Sequence, residues 1–392
     1  MILKIKKYTC LLIIIIFNCF PIKNNKIIFF SYYGSQYGCN PKYISEFILR
    51  NCPPETFELV WAFTDVKSKN HIEGVRKVKI MSLKYFYELC TSKVVITNFR
   101  MSDLFIKRKD QFYIQTWHSS LRLKQIEKDA ETSLPQQYVE MAKKDSSQCD
   151  LLLSGCRYST DIFKRAFWYN GRIFEYGTPR NDLFFNNNFN KNKITNNLRI
   201  PDNHKIVLYA PTFRKNNVLE VYDLEFSRVI NALQNKFGGD WTLLIKLHPH
   251  LIEKSSELQK GDSKVIDVTL YDDIQELLAI SDVLISDYSS LIFDYSITNR
   301  PCFLYIPDVN KYTKNERNLY FDINDLPFTS AFSNEDMVMK IENFNYELYK
   351  SRLHNFLHYI GSFEEGKASE YLLKEITEVC FKKQRGEVYE AV

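Results

Sequence analysis

Two histidines, His118 and His248, follow predicted strands in the two halves of this 392-residue chain. His118 ends the stretch QTWH at 115–118, and His248 lies in KLHP at 246–249. An imidazole with a reference pKa near ~6.5 can take the proton from an attacking hydroxyl, which suits His118. The ring of His248 can donate to a phosphate oxygen and stabilise a leaving group. The structural alternatives are packing of His118 against its tryptophan neighbour and a satisfied surface position for His248.

A strand, a polar turn and a helix follow one another over 282–297, with Asp287, Ser289 and Ser290 in the turn. The two serines stand where the first amides of a helix lack partners and where the helix dipole favours an anion. This segment therefore predicts a binding site for a diphosphate. The alternative is that Asp287 or Ser289 only caps the helix.

Two further pairs of polar residues follow predicted strands. Thr212 and Arg214 lie in YAPTFR at 209–214. The planar guanidinium of Arg214 fits phosphate oxygens in pairs, although a solvated loop charge is the alternative. Arg180 and Asn181 lie in the turn YGTPRND at 176–182. These two residues either bind the ligand or tie two domains together.

The sequence contains no glycine-rich phosphate loop and no HExxH motif. Phosphate would then be bound by helix termini, histidine and arginine. The acidic pair Asp272 and Asp273 is better explained as the start of a helix at 274–280 than as a metal site. We therefore expect neither a metal nor a cofactor.

These residues require elements that bring them to one edge of a sheet. Short runs rich in β-branched and aromatic residues alternate with helical or loop-like sequence, which predicts parallel sheets covered by helices. The predicted strands lie at 26–31, 58–63, 94–98, 112–117, 150–154, 172–176, 205–210, 241–247, 265–268, 282–286 and 301–306. Ligands of such sheets bind beyond the carboxyl ends of the strands, where the candidate residues stand.

The length of the chain predicts two domains, and a run of Asn, Lys and Phe at 186–197 marks the boundary. We expect an α/β fold with two Rossmann-like, doubly wound domains facing a cleft. Residues 1–25 form a separate apolar segment with basic flanks, and 26–185 form the first domain. Residues 186–204 form a linker, and 205–392 form the second domain with helices near the C-terminus that pack back on the body.

Composition narrows the class of protein. The net charge of +5 and the lack of an arginine-rich arm argue against nucleic acid as a partner. Nine scattered cysteines without a C-x-x-C pair indicate neither a disulfide framework nor a zinc site. Reduced thiols are typical of a cytosolic body.

Basic residues flank an apolar run at 8–20, with Lys4, Lys6 and Lys7 before it. The run is shorter than the ~20 residues that a membrane-spanning helix needs, and no small-x-small cleavage site follows it. An uncleaved anchor, a signal peptide and an upstream-start artefact are the three interpretations. Positive charge on both flanks favours a peripheral or short anchor with the body in the cytosol.

Five ordered stretches together resemble the CDP-glycerol glycerophosphotransferase family, which includes the teichoic acid primases and polymerases of bacterial walls. The stretches are QTWH at 115–118, YGTPRND at 176–182, YAPTFR at 209–214, KLHP at 246–249 and DVLISDYSSLIFDY at 282–295, and FFSYYG…NPKYI at 29–44 also fits. The family usually has Gly-Thr-Pro after the first histidine, where this chain has Ser119, Ser120 and Leu121. We expect this departure to affect the acceptor side.

The resemblance implies a glycosyltransferase-B-like fold, with an acceptor-side first domain and a donor-nucleotide second domain. It implies metal-independent transfer of a polyol phosphate, most simply glycerol phosphate, from a CDP-polyol to a lipid-linked or polymeric acceptor, with release of CMP. His118 would be the base, and His248, Arg214, Ser289 and Ser290 would bind the donor pyrophosphate. The product would be a teichoic acid or a capsule-type polymer. The resemblance also implies a peripheral place on the cytoplasmic side of the cell membrane, and a minimal chain without the upstream domain of some polymerases.

Three alternatives stay open at this point. The same fold can serve a glycosyltransferase that uses a nucleotide sugar, because fold does not fix function. The donor can be CDP-ribitol instead of CDP-glycerol. The chain can also be a degenerate, membrane-docked assembly protein without activity, which the changed residues after His118 would favour.

Overall fold

Near-continuous apolar runs form the strands of two sheets, as burial on both faces of a parallel sheet requires. The computed structural model describes residues 2–186, 189–212, 214, 223–247, 264–315 and 318–386. These residues divide into two compact units. Unit 1 takes those within Met1–His118, Ile126–Phe185 and Phe363–Val392, and unit 2 takes those within Ser119–Gln125 and Asn186–Ser362.

Unit 1 contains a parallel sheet of seven strands in the order β3-β2-β1-β4-β5-β6-β7. The strand order reverses beside β1, so the carboxyl ends of β1 and β4 flank a topological switch point. The strands are β1 (Lys23–Phe30), β2 (Glu58–Phe63), β3 (Arg76–Lys79), β4 (Ser92–Thr97), β5 (Phe112–Gln115), β6 (Leu151–Leu153) and β7 (Arg172–Phe174). The α-helices that precede β7 in the chain are α1 (Ile2–Phe17), α2 (Cys39–Asn51), α3 (Leu83–Thr91), α4 (Gln136–Gln148) and α5 (Arg157–Ala166).

Unit 2 contains a parallel sheet of six strands in the order β10-β9-β8-β11-β12-β13. The order again reverses, here beside β8, so the ends of β8 and β11 adjoin the switch point. The strands are β8 (Lys205–Tyr209), β9 (Trp241–Ile245), β10 (Val265–Asp267), β11 (Val283–Ser286), β12 (Cys302–Tyr305) and β13 (Thr329–Ala331). The helices are α6 (Lys191–Asn197), α7 (Phe226–Phe237), α8 (Ile274–Ile280), α9 (Leu291–Ser296), α10 (Val309–Asn315), α11 (Asn334–Glu342) and α12 (Tyr346–Ile360).

The predicted α/β class with two parallel sheets is confirmed, and each of the eleven predicted strands forms. Two strands, β3 and β13, were not predicted. The sequence of β3 is RKVK and that of β13 is TSA, so neither carries a continuous apolar run. Both lie at the edge of their sheet, where one side of the strand needs no apolar partner.

The helix α13 (Ala368–Gly386) belongs to unit 1, which corrects the expected boundary of the second domain at 392. Leu372 and Ile376 are fully buried in the core that contains Ile27 and Ile44 of β1 and α2. The sequence pattern shows that this helix has a buried face, but it does not show which sheet covers that face. Part of the expected linker also folds, because 191–197 form α6 with Ile194 buried in unit 2.

The basic, apolar N-terminus forms helix α1, which packs against α3. Ile14 is buried, and the ring of Phe17 meets the ring of Tyr87 edge-on at 5.7 Å. Several apolar side chains of the helix are nevertheless exposed, namely Tyr8, Leu12, Ile15 and Ile16. In the part of the chain that the structure describes, no helix has both the length and the apolar character that crossing a membrane requires.

Candidate active site

His118 lies beyond the carboxyl end of β5 in unit 1, with a half-buried side chain. Its Nδ1 is 3.4 Å from the carbonyl oxygen of Asn98, the residue after β4. Because a carbonyl oxygen only accepts, this contact favours the tautomer with the proton on Nδ1. Nε2 is then the nitrogen that accepts a proton. The ring of Trp117 stacks on the imidazole at 4.9 Å with an angle of 19°.

The backbone on both sides of His118 is left-handed, with φ of 47° at Trp117 and 69° at Ser119. Such conformations cost a non-glycine residue about 1–3 kcal/mol each, so the surrounding structure must fix them. The Asn40 Nδ2 donates to the Trp117 carbonyl at 3.2 Å. The Trp117 amide in turn donates to Gln115 Oε1 at 3.0 Å. Two side-chain amides therefore position the loop that carries the histidine.

Arg180 and Asn181 lie in the 3₁₀ segment Pro179–Phe185 of unit 1, and both are buried. The Arg180 amide donates to Asn40 Oδ1 at 3.0 Å, so Asn40 connects this segment to the histidine loop. The Asn181 Nδ2 donates to Glu364 Oε1 at 3.0 Å. Asn40 thus connects the segment that carries Arg180 to Trp117, the residue before His118. Ligand binding by Arg180 and Asn181 stays a prediction.

A buried ion cluster packs against Trp117 from the core of unit 1. The guanidinium of Arg100 lies 3.6 Å from the ring centroid of Phe167 and 5.8 Å from that of Trp117. It pairs with Asp145 at 3.1 Å and with Glu127 at 3.2 Å. Burial lowers the pKa of Arg100, but these two carboxylates outweigh burial and raise it. The sequence analysis did not identify this cluster, because its charges are far apart in the chain.

Thr212, Arg214 and Asp287 meet in unit 2, where β8 and β11 end. The Asp287 carboxylate accepts from the Thr212 amide at 2.9 Å and from the Arg214 Nη2 at 2.9 Å. Asp308, which follows β12, accepts from the Arg214 Nε at 2.8 Å. A carboxylate cannot donate to a phosphate, so the contacts of Asp287 orient Thr212 and Arg214. Asp308 was not predicted, although its place after a strand is the signal that identified the others.

The guanidinium of Arg214 also packs on two tyrosine rings. Its carbon lies 5.0 Å from the centroid of Tyr288 and 4.8 Å from that of Tyr312, and the two rings stack at 3.7 Å. Burial lowers the pKa of Arg214, but the ion pairs with Asp287 and Asp308 outweigh burial and raise it. One cation therefore faces two anions. A phosphate bound here would need further donors.

Ser289 and Ser290 supply hydroxyls at the start of α9, and both are half-exposed. The Ser289 Oγ accepts from the Leu291 amide at a long 3.4 Å. Ser290 is the N-cap residue, but its hydroxyl makes no capping hydrogen bond. The capping alternative therefore explains little of this pair, and the diphosphate site stays a prediction.

The predicted residue His248 lies outside the described residues. Lys246, two residues earlier, follows β9 and is half-buried. Its Nζ donates to the carbonyl oxygens of Thr269 at 2.7 Å and Tyr271 at 2.6 Å. Burial lowers the pKa of Lys246 to about 8, against the opposing effect of Asp272. Lys246 thus connects the loop after β10 to the end of β9.

The chain passes from unit 1 to unit 2 immediately after His118. The Ser120 amide donates to Asp294 Oδ1 at 3.0 Å, and both residues are buried. The Gln125 amide donates to the Asn318 carbonyl at 2.9 Å. Residues 119–125 are therefore fixed by hydrogen bonds within unit 2.

The predicted site residues fall into two groups by unit. Among the residues that the structure describes, no three or more His, Cys, Asp or Glu side chains form a group that could hold a metal ion. The predicted residues in unit 1 are His118, Arg180 and Asn181, and those described in unit 2 are Thr212, Arg214, Asp287, Ser289 and Ser290. Asn40 and Asp308 are the main additions from the structure.

Two parallel, Rossmann-like sheets with polar residues at their carboxyl edges define the class of glycosyltransferase-B-like α/β proteins. The sequence profile of the CDP-glycerol:poly(glycerophosphate) glycerophosphotransferases matches residues 12–378. The chain belongs to this family, which confirms the resemblance in the sequence.

Curated relatives carry teichoic acid functions in their names. A teichoic acid poly(glycerol phosphate) polymerase of Bacillus spizizenii is 34% identical over 313 residues, which are 77% of this chain and 79% of the relative. A teichoic acid glycerol-phosphate transferase of Staphylococcus aureus is 31% identical over 91% of this chain and 94% of its own length. The polymerase of Staphylococcus epidermidis is 33% identical over 90% of this chain, but the match spans only 50% of that relative.

Solved structures agree with this relationship. The wall teichoic acid polymerase TagF superposes with a TM-score of 0.83 at 31% identity, covering 95% of this chain and 94% of that one. A TagF histidine-to-asparagine variant soaked with CDPG gives 0.81 at 31% identity, covering 93% and 91%. A putative UDP-N-acetylglucosamine 2-epimerase from Listeria monocytogenes gives 0.56 at 14% identity, covering 93% and 97%, which shows the fold alone.

Proposed function

We propose that this chain transfers a polyol phosphate from a CDP-activated donor to a hydroxyl of a lipid-linked or polymeric acceptor, with glycerol phosphate as the first choice. The family and the names of the relatives support the donor class. The observation that supports the chemistry is the contact of His118 Nδ1 with the Asn98 carbonyl. This contact favours the tautomer in which Nε2 carries no proton, and that is the form that can act as a base.

In the proposed step the acceptor oxygen attacks the β-phosphorus of the donor. A new phosphorus–oxygen bond forms, the bond from this phosphorus to the bridging oxygen breaks, and CMP leaves with that oxygen. His118 takes the hydroxyl proton on Nε2. Most of the rate enhancement in such a transfer comes from positioning and from stabilisation of charge.

The donor pyrophosphate is assigned to unit 2. Thr212, Arg214, Ser289 and Ser290 lie at the carboxyl edge of its sheet, which is where nucleotides bind in this kind of fold. Arg214 stays charged, and Asp287 and Asp308 fix its orientation. His248 is part of the same assignment from its motif.

A donor panel tests this function. The purified full chain is mixed with CDP-glycerol, CDP-ribitol or nucleotide sugars, and thermal stability and nucleotide release are measured. We expect CDP-glycerol to raise the melting temperature and to yield CMP once an acceptor is added. Stabilisation and turnover with a nucleotide sugar alone would indicate a glycosyltransferase. Turnover with CDP-ribitol alone would identify ribitol phosphate as the transferred group. No response to any donor would favour an assembly protein without activity.

We further propose that the chain is a peripheral protein of the cytoplasmic membrane face and binds it through α1. The exposed Tyr8, Leu12, Ile15 and Ile16 of this helix, with the nearby Lys7, suit an interfacial position on anionic lipid. The other lysines before position 8 add positive charge.

Vesicle flotation tests the membrane proposal. The wild-type chain should float with anionic vesicles, and Leu12→Glu/Ile16→Glu should stay in the soluble fraction because it places charge in the acyl boundary. Leu348→Glu is a matched control, because Leu348 is equally exposed on α12. Flotation of the double variant at the wild-type level would contradict the role of α1.

A further inference from the structure

We propose that Tyr33 is an aromatic binding surface for the acceptor, beside His118 in unit 1. It would pack against the C–H face of the hydroxyl-rich unit that carries the attacking hydroxyl. This inference rests on the proposed function, because it assigns a substrate contact to the same site.

Tyr33 is an exposed ring on a firm support. It lies in the 3₁₀ turn Tyr32–Gly34 directly after β1, at the carboxyl edge of the sheet, and is 64% exposed. Its ring centroid lies 4.2 Å from that of Phe99, at an angle of 36°. Phe99 in turn meets the buried Phe30 edge-on at 6.5 Å. The exposed ring is thus fixed on the core instead of moving freely in solvent.

The backbone presents this ring in a strained turn. Tyr32 and Tyr33 have φ of 44° and 57°, a region that bulky residues avoid. Each costs about 1–3 kcal/mol, and such strain persists where the structure fixes it and clusters at ligand sites. The Tyr32 amide donates to Asn98 Oδ1 at 2.9 Å, and the Gly34 amide donates to the Ser31 carbonyl at 2.8 Å.

Asn98 connects this turn to the histidine. Its side-chain oxygen accepts from Tyr32, and its main-chain oxygen contacts His118 Nδ1. Within the described part of the chain, the Asn98 Nδ2 is buried without a hydrogen-bond partner. A single residue therefore fixes both the tyrosine turn and the proposed base, so the two lie at the same sheet edge.

The chemistry of the ring selects the ligand. The face of an aromatic ring is electron-rich, so it attracts C–H groups and repels phosphate oxygens. Ligand sites commonly combine such an apolar surface with a few polar groups that fix orientation. Tyr33 and His118 fit this pattern for a hydroxyl-rich carbon unit, which a sugar ring or a polyol can provide.

Steady-state kinetics with Tyr33 variants test the inference. Two acceptors are used with CDP-glycerol, one ending in a sugar and one ending in glycerol phosphate. We expect Tyr33→Ala to raise the acceptor KM about fivefold to tenfold with the donor KM unchanged, because only the acceptor contact is lost. Tyr33→Phe keeps the ring and should behave as the wild type. An effect with the sugar-ended acceptor alone assigns a sugar ring, and an effect with both assigns the shared hydroxyl-rich carbon.

Tyr359→Ala is the matched control, because Tyr359 is 69% exposed on α12 of unit 2. An unchanged acceptor KM in a folded Tyr33→Ala would overturn the inference and leave the proposed function intact. So would equal losses in Tyr33→Phe and Tyr33→Ala, because the hydroxyl and not the ring would then matter. A wild-type chain that releases no CMP from CDP-glycerol with either acceptor would remove the proposed function and this inference together.

Discussion

At the residue scale, the assignment of His118 makes a direct prediction. His118→Ala should lower the rate of CMP release at least about 100-fold, because general-base catalysis contributes factors of this size. Binding of CDP-glycerol, measured by thermal shift, should change little, because the donor contacts are assigned to unit 2. His71→Ala removes an exposed histidine of the same unit and serves as the control. Equal rates of CMP release in His118→Ala and the wild type would exclude His118 as the general base.

Ser119 stands directly after His118, where the family pattern described in the sequence analysis places a glycine. Its φ of 69° suits glycine without steric cost, and its hydroxyl donates to the Leu121 carbonyl at 2.8 Å. Ser119→Gly removes strain but loses this bond, so its melting temperature should stay near that of the wild type. Ser119→Val loses the bond and adds a branched side chain in a left-handed region, so it should cost about 1–2 kcal/mol more. Both variants are measured by thermal unfolding. Equal melting temperatures of Ser119→Val and Ser119→Gly would contradict the strain argument.

At the scale of elements, Arg214 connects the ends of β8, β11 and β12. Arg214→Met leaves the buried Asp287 and the partly buried Asp308 without their cation, and breaking a buried pair costs about 3–5 kcal/mol. Hydrogen exchange should report this loss in the strands of unit 2. Arg228→Met is the control, because Arg228 pairs with two glutamates on the surface, where the cost is below about 1 kcal/mol. Similar losses of stability in the two variants would show that the ion pairs of Arg214 contribute no more than surface ion pairs do.

Lys246 makes the end of β9 sensitive to pH. Burial lowers its pKa from 10.5 to about 8 in the folded chain, so the unfolded chain binds more protons between these values. The contribution of Lys246 to the free energy of unfolding, which is the difference between the wild type and Lys246→Met, should therefore rise with pH from about 8 to 10.5, and the shift corresponds to roughly 3 kcal/mol. Below pH 8 the full penalty is present. Urea unfolding of Lys246→Met should lack this rise, and parallel pH profiles of both proteins would refute the assignment.

At the scale of the whole molecule, α13 ties the last part of the chain to unit 1. Leu372→Ala opens a cavity in the core shared with Ile27 and Ile44, which should cost about 2–5 kcal/mol. Hydrogen exchange should increase in β1 and α2 and stay unchanged in the strands of unit 2. Leu348→Ala, at an exposed position, should change neither unit. Faster exchange in unit 2 alone would contradict the placement of α13.

Local signals account for most of what could be predicted. The strand β2 was predicted with its observed bounds, because LVWAF at 59–63 is a continuous apolar run that follows Glu58 and precedes polar residues. Candidate site residues were found because they follow strands, as His118 and Asp287 do. The edge strand β3 was missed because three of its four residues are basic.

Contacts between distant parts of the chain could not be predicted from one sequence. Arg100 and Asp145 are 45 residues apart, and neither position shows a local pattern. The position of α13 depends on which sheet offers a free apolar face. The role of Asn40, which connects Arg180 to the loop before His118, also appears only in the folded chain.

The division of the chain has a consequence for biosynthesis. Unit 1 draws its core from both ends of the sequence, whereas 186–362 of unit 2 form one uninterrupted stretch. During translation the ribosome therefore exposes the first sheet with an open apolar face and completes the second sheet before α13 emerges. We therefore expect the nascent first half to keep this apolar face exposed, and to be prone to aggregation, until α13 leaves the exit tunnel.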